Sequence, residues 1–153
     1  MGDRLANLRA AVDRLSRDPA VAVERCSSVY ETEPVGEVLD QQDFLNAVVG
    51  VRTDLEPLEL LDACKQIEQE LGRRAGPRHG PRPIDIDVLL VGDTVLESPL
   101  LRLPHPEVTA RRFVLVPLLE LEPGLELPDG GRLSAALEAL PAGQRVERVG
   151  DLG

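Results

Sequence analysis

Five apolar patterns follow one another along this chain in an order that few folds accommodate: a helical period, two strand-like runs, a second helical period, and a buried-strand run. Leu5, Leu8, Val12 and Leu15 recur at steps of three and four, which predicts a helix over residues 3–17 with one apolar face, ended by Asp18-Pro19. Residues 21–31 read as a strand from their β-branched content, residues 32–42 as a polar loop with Gly and Pro, and residues 44–53 as a second strand. Asp54 is placed to cap a second helix with Pro57 near its first turn, Leu58, Leu61, Cys64, Ile67 and Leu71 as its inward stripe and Gly72 as its stop. Ile84-Asp85-Ile86-Asp87-Val88-Leu89-Leu90-Val91 then has a buried-strand pattern closed by Gly92-Asp93, with residues 94–96 expected to pair back as a hairpin. This order predicts an α+β, ferredoxin-like β-α-β-β-α-β sandwich whose first strand is absent. C-terminal additions follow: a helix over 110–121 bent or split at Pro117 and closed by Pro123, a short helix capped by Ser134 and running to 140, and a polar, partly loose ending over 142–153.

At 153 residues the chain suits one domain over 1–153 with a single core. A net charge of -10 argues against a general nucleic-acid surface, because phosphate backbones are held by an excess of Lys and Arg. No apolar run reaches the roughly 18 residues of a membrane span, and the N-terminus lacks a secretory pattern, so a cytoplasmic protein is expected. Nothing in the pattern demands a dimer, and a monomer is expected. Cys26 and Cys64 stand far apart with no zinc-ligand spacing around them and read as small buried apolar residues. The positive charge is unevenly spread: Arg73, Arg74, Arg78 and Arg82 crowd a segment that also holds Gly72, Gly76, Pro77, Gly80, Pro81 and Pro83.

That arginine loop runs directly into the paired aspartates. Two residues apart on a strand, Asp85 and Asp87 emerge from one face while Ile84, Ile86 and Val88 turn to the other. Adjacent carboxylates repel, and two hard oxygen ligands are what Mg²⁺ accepts when substrate phosphates and water complete its octahedron. Guanidinium groups upstream can grip phosphate oxygens in pairs. An edge strand with a polar face would show the same Asp-x-Asp, and a solvated loop the same arginines; their adjacency favours phosphate transfer. Of the few aromatics, Phe44 stands two residues before Asn46, whose amide offers donor and acceptor to a heterocycle edge, and Phe113 follows Arg111 and Arg112. His105 lies between Pro104 and Pro106, in a stiff loop from which it can donate to a phosphate. Core packing for either Phe and a plain surface role for His105 are the competing readings.

Four ordered segments together resemble the 6-hydroxymethyl-7,8-dihydropterin pyrophosphokinase family over about residues 2–129. They are Ser28-Val29-Tyr30-Glu31-Thr32-Glu33-Pro34-Val35-Gly36; Phe44-Leu45-Asn46-Ala47; Gly80-Pro81-Arg82-Pro83-Ile84-Asp85-Ile86-Asp87; and Leu103-Pro104-His105-Pro106 with Arg111-Arg112-Phe113. The resemblance implies transfer of the β,γ-pyrophosphoryl group of ATP to the hydroxymethyl oxygen of a reduced pterin, with release of AMP, in folate biosynthesis. It implies that Asp85 and Asp87 hold two Mg²⁺ ions, that Arg82, Arg73, His105 and Arg111 bind phosphates, and that Glu68 and Ile86 lie at the nucleotide. Phe44 and Phe113 would sandwich the pterin, with Asn46 and the backbone from Thr32 through Glu33 to Val35 reading its edge. The sequence departs from the family at His79, where an aromatic residue is usual, at Pro83, where Thr is usual, and in a loop about one residue short, which leaves Arg74 and Arg78 unassigned. Family members also open with a strand and a Gly-Ser-Asn-Leu turn before Gly-Asp-Arg; here Met1 takes the place of the turn's last apolar residue, so the chain is expected to fold poorly or act weakly and a longer product to be the working enzyme. Two other readings compete: a noncatalytic pterin- or nucleotide-binding module, and an acidic interaction domain whose arginine loop docks a protein.

Overall fold

The computed structural model describes residues 2–32, 44–74, 84–140 and 146–151. The first helix, α1 (Gly2–Arg17), forms where the periodicity predicts it and buries Ala11 and Leu15. Its end is fixed locally, since Asp18 accepts from Val21 N with its carbonyl and from Ala20 N with its carboxylate.

Each of the two expected long strands is divided. Residues 21–31 form β1 (Val21–Cys26) and β2 (Ser28–Thr32), and residues 44–53 form β3 (Phe44–Asn46) and β4 (Val49–Thr53). β1 pairs antiparallel with β4, and β2 antiparallel with β3. The break lies at Ser27, where a side chain takes over the work of the backbone: Ser27 N donates to Val48 O at 2.8 Å, while Val48 N donates to the Ser27 hydroxyl, also at 2.8 Å. With its hydroxyl in turn donating to Ser28 O at 2.7 Å, Ser27 satisfies every polar group although only 2% exposed.

The other edge of β2 is covered by β7 (Val146–Asp151), from Ser28↔Asp151 to Thr32↔Val146. The loose ending expected over 142–153 is therefore corrected for residues 146–151. Their polar composition hid a strand, because an edge strand facing water needs few apolar residues once its backbone is paired.

The second helix, α2 (Pro57–Arg74), starts with Pro57 in its first turn as expected. Its start is closed by Glu59, whose carboxylate accepts from Glu56 N at 2.9 Å, rather than by Asp54. It passes through Gly72 without stopping there. Leu60, Cys64, Ile67 and Leu71 are its buried positions; Leu58, expected inward, is exposed. These residues pack with Ala11 and Leu15 of α1, Val21 of β1, and Ile84 and Val88 into one apolar cluster. Each fully buried Leu or Ile contributes roughly 1.5–3 kcal/mol.

Past residue 91 the hairpin forms in a different place from the one expected: β5 (Leu96–Glu97) pairs with β6 (Arg102–Leu103), not with residues 84–91. A 3₁₀ turn (Pro106–Thr109) leads into α3 (Arg112–Leu121), a continuous helix that contains Pro117. The expected split there does not occur; the ring is fully buried. The last helix, α4 (Leu133–Ala139), starts from Arg132 with no side-chain cap, so Ser134 lies inside it rather than capping it. Val108, Leu115, Leu118 and Leu133 make a second apolar cluster. The whole is a mixed α+β fold with antiparallel sheets.

Residues 84–91 depart most from expectation. Burial alternates as in an extended chain, with Ile84 and Val88 inside and Asp85 and Asp87 exposed, yet among the described residues the segment joins no ladder. A cavity of about 380 Å³ lies beside it, lined by Leu8, Ala11 and Leu15 of α1, Val49 and Val51 of β4, and residues 84–90.

Candidate active site

The paired aspartates stand where the alternation places them, both exposed, with Ile84 and Val88 anchoring the strand from below. Between them the amide of Ile86 donates to the carboxylate of Glu68 on α2, at 2.6 Å from Oε2. Glu68 is 7% exposed, and its Oε1 lies 3.4 Å from Lys65 Nζ. Cys64, one turn earlier on the same face, has its thiol pushed up to about 11, first by burial and then by the charges of Glu68 and Asp87, which Lys65 partly offsets. Cys64, Asp85 and Asp87 line the cavity, and Glu68 reaches the same segment through the Ile86 amide.

His105 joins this region through the backbone, its N–H donating to Leu89 O at 2.9 Å. Its Nδ1 accepts from Glu107 N at 3.0 Å, so in the neutral ring the proton sits on Nε2, the tautomer that can donate to an oxyanion. Arg111 follows on the same turn, and its Nε donates to Glu107 Oε2 at 2.6 Å. That ion pair engages one of five guanidinium N–H groups and holds the side chain at the start of α3.

Asn46 and Thr32 come together across β2 and β3. Asn46 Nδ2 donates to Thr32 Oγ1 at 2.8 Å, and Thr32 is 1% exposed. Phe113 lies in the first turn of α3, which packs against both of these strands. Phe44 is the β3 residue paired with Thr32 in the ladder. Glu33, Val35, Arg82, Arg78 and His79 lie outside the described residues, as do the side chains of Phe44, Arg73 and Arg74.

Two polar groupings escaped the sequence reading. The bond from Ile86 to Glu68 had a faint signal: Glu68 lies four residues after Cys64, on the inward face of α2, where a carboxylate needs a partner. The second had none. Glu120 of α3 accepts from Ser28 N at 2.9 Å, from the Ser28 hydroxyl at 3.0 Å and from the Tyr30 hydroxyl at 2.6 Å. Arg148 of β7 donates to the Ser28 hydroxyl at 2.7 Å and to Asp151 at 3.0 Å. Tyr30 is pushed up to about 12, by burial first and then by its bond to the Glu120 charge.

Among the described residues no cluster of three or more His, Cys, Asp or Glu side chains is placed to hold a metal. Asp85 and Asp87 offer oxygen only. Such a donor set fits Mg²⁺, which binds through one or two carboxylates and takes its remaining ligands from phosphates and water, and does not fit a cation that needs a full protein cage.

An exposed pair of carboxylates, with His105 bonded through its backbone to the same segment, is an arrangement compatible with metal-assisted phosphate transfer. The chain belongs to the 7,8-dihydro-6-hydroxymethylpterin-pyrophosphokinase family, whose family model matches residues 1–123. It is similar to the 2-amino-4-hydroxy-6-hydroxymethyldihydropteridine pyrophosphokinase of Pseudomonas aeruginosa, at 43% identity over 97% of this chain and 93% of that one. The enzyme of the same name from Bacillus subtilis is 48% identical over 79% of this chain and 72% of its own length. A mitochondrial folate synthesis bifunctional protein of Pisum sativum matches 79% of this chain at 45% identity, over 23% of its own length.

Proposed function

We propose that this chain is an ATP-dependent pyrophosphokinase that converts 6-hydroxymethyl-7,8-dihydropterin and ATP into the pterin diphosphate and AMP, a step of folate biosynthesis. The observation that carries the reading is the exposed Asp85–Asp87 pair on an extended segment bonded to α2, in a chain whose family match spans that site. Two Mg²⁺ ions held by these carboxylates would supply charge neutralisation on the phosphates of ATP. The chain's own groups do the rest. His105 donates from Nε2 to a phosphate oxygen, Arg111 presents its remaining N–H groups alongside, and Arg73 and Arg82 close on the same phosphates from the arginine loop. Glu68 and Ile86 border the nucleotide.

The pterin is read by Asn46, and Thr32 fixes the amide that reads it. With Thr32 Oγ1 accepting from Nδ2, the Asn46 amide is held in one orientation, so its Oδ1 can accept from a ring N–H. Phe44 and Phe113 stack on the ring, and the backbone at Glu33 and Val35 completes the edge. Positioning and electrostatic neutralisation provide the acceleration, and no covalent enzyme intermediate is required.

The ferredoxin-like arrangement belongs to the same proposal. In this reading β1, β4 and residues 84–91 are three of its strands and α1 and α2 its helices, with the cavity bordered by β4 and residues 84–90. The enzyme works as a monomer in the cytoplasm, and no described helix is long and apolar enough to cross a membrane.

The test is product analysis: purified protein is incubated with Mg²⁺, ATP and 6-hydroxymethyl-7,8-dihydropterin, and AMP is separated from ADP. AMP formed only with pterin present is the expected result. Nucleotide binding with no AMP would instead support a noncatalytic module.

A further inference from the structure

We infer that Glu68 is a positioning residue for the metal-binding aspartates, acting as a backbone acceptor that replaces the ladder bond the Asp85–Asp87 segment does not make. The inference rests on the pyrophosphokinase reading of that pair.

The segment carrying Asp85 and Asp87 makes no ladder among the described residues, so the direction in which its carboxylates point must be set by something else. Burial of Ile84 and Val88 fixes its two ends. Between them the peptide joining Asp85 to Ile86 is held by the 2.6 Å bond from Ile86 N to Glu68 Oε2. That amide lies in the backbone that joins the two aspartates, so releasing it would loosen the chain that carries both carboxylates. A charge-assisted bond from a 7% exposed carboxylate is a stiff restraint, because water does not compete for the acceptor. Glu68 itself is braced from behind by Lys65. Its reach therefore matters more than its charge. A glutamine in its place keeps an acceptor at the same distance, whereas an aspartate keeps the charge but withdraws the acceptor by about 1.5 Å.

The two variants separate this role from a through-space effect of the charge. In Glu68→Asp the Mg²⁺ concentration that half-saturates AMP formation should rise roughly 10–100-fold, the usual consequence of losing a partner behind a metal ligand. Glu68→Gln should recover most of that loss. Independently of turnover, the Ile86 amide proton should resonate far downfield and exchange slowly in the parent protein without metal or nucleotide. It should keep that protection in Glu68→Gln and lose it in Glu68→Asp. The reverse order, equal losses in both variants, or no loss in either overturns the inference. Should Glu68→Asp fail to melt cooperatively, Glu68→Gln decides alone, since loss of Mg²⁺ response or of amide protection in a folded Gln variant overturns it. A parent protein that forms no AMP defeats the functional reading instead, and the amide measurement still reports on the restraint.

Discussion

Asp85 and Asp87 are exposed, share one face and belong to neither apolar cluster, so their carboxylates take no part in the core. Replacing either by Asn should lower AMP formation on the order of 10²–10³-fold, as loss of a preorganised electrostatic group does. The melting temperature should stay level or rise, and thermal unfolding followed beside the activity assay checks both halves. Thr32 is the opposite case, a buried hydroxyl whose value lies in one bond. Thr32→Val leaves the Asn46 amide without its intramolecular acceptor, at a cost of about 1–3 kcal/mol in denaturant unfolding, and should raise the KM for pterin while leaving that for ATP unchanged. The two cysteines divide by environment. Cys26 is exposed, whereas Cys64 is buried with its thiol pushed up to about 11, so a thiol reagent should label Cys26 in the native protein and Cys64 only after unfolding. Labelling of both at equal rates would show that the cavity end opens to solvent.

At the level of elements, α3, β2 and β7 are joined through Glu120. Burial pushes its carboxyl upward, but the hydrogen bonds from Tyr30 and Ser28 and the charge of Arg148 outweigh this and hold it below its ordinary value of 4.5. A carboxyl depressed by folding contributes its full stabilisation above that ordinary value and loses it as the pH falls through the lower, folded one. Acidification should therefore destabilise the parent protein more than Glu120→Gln, as thermal melts at a series of pH values below about 5 would show. Equal acid sensitivity would mean that Glu120 does not hold the three elements together. None of this network was legible in the sequence, because Ser28, Tyr30, Glu120 and Arg148 lie up to 120 residues apart and none stands in a periodic pattern. What was legible depended on periodicity. The alternation of Ile84 to Val88 correctly placed Asp85 and Asp87 outward, and the three-four spacing correctly gave α1 and most of α2. Where a side chain replaces a backbone partner, periodicity is silent: the hydroxyl of Ser27 breaks two strands that read as continuous, and Glu59 displaces Asp54 at the start of α2. The same holds at the site, where the bond of Asn46 to Thr32 and that of Ile86 to Glu68 needed three dimensions.

Across the molecule, sheet pairing is uneven. β2 is flanked on both sides, by β3 and β7, whereas among the described residues β4 is paired with β1 alone, and its Val49 and Val51 line the cavity. Native-state hydrogen exchange should therefore find the slowest strand amides at Tyr30, Glu31 and Thr32, and fast exchange at the β4 amides that point away from β1. Uniform protection along β4 would mean that its second edge is covered. The pairing of β2 also has a consequence in time. Ser28 and its partner Arg148 are 120 residues apart, and at about 5–20 residues per second a ribosome needs roughly 6–24 seconds to travel between them. Throughout that interval the nascent chain carries one bare edge of β2 outside the exit tunnel. β2 is thus open to mispairing along that edge during translation, until the codons of β7 have been read.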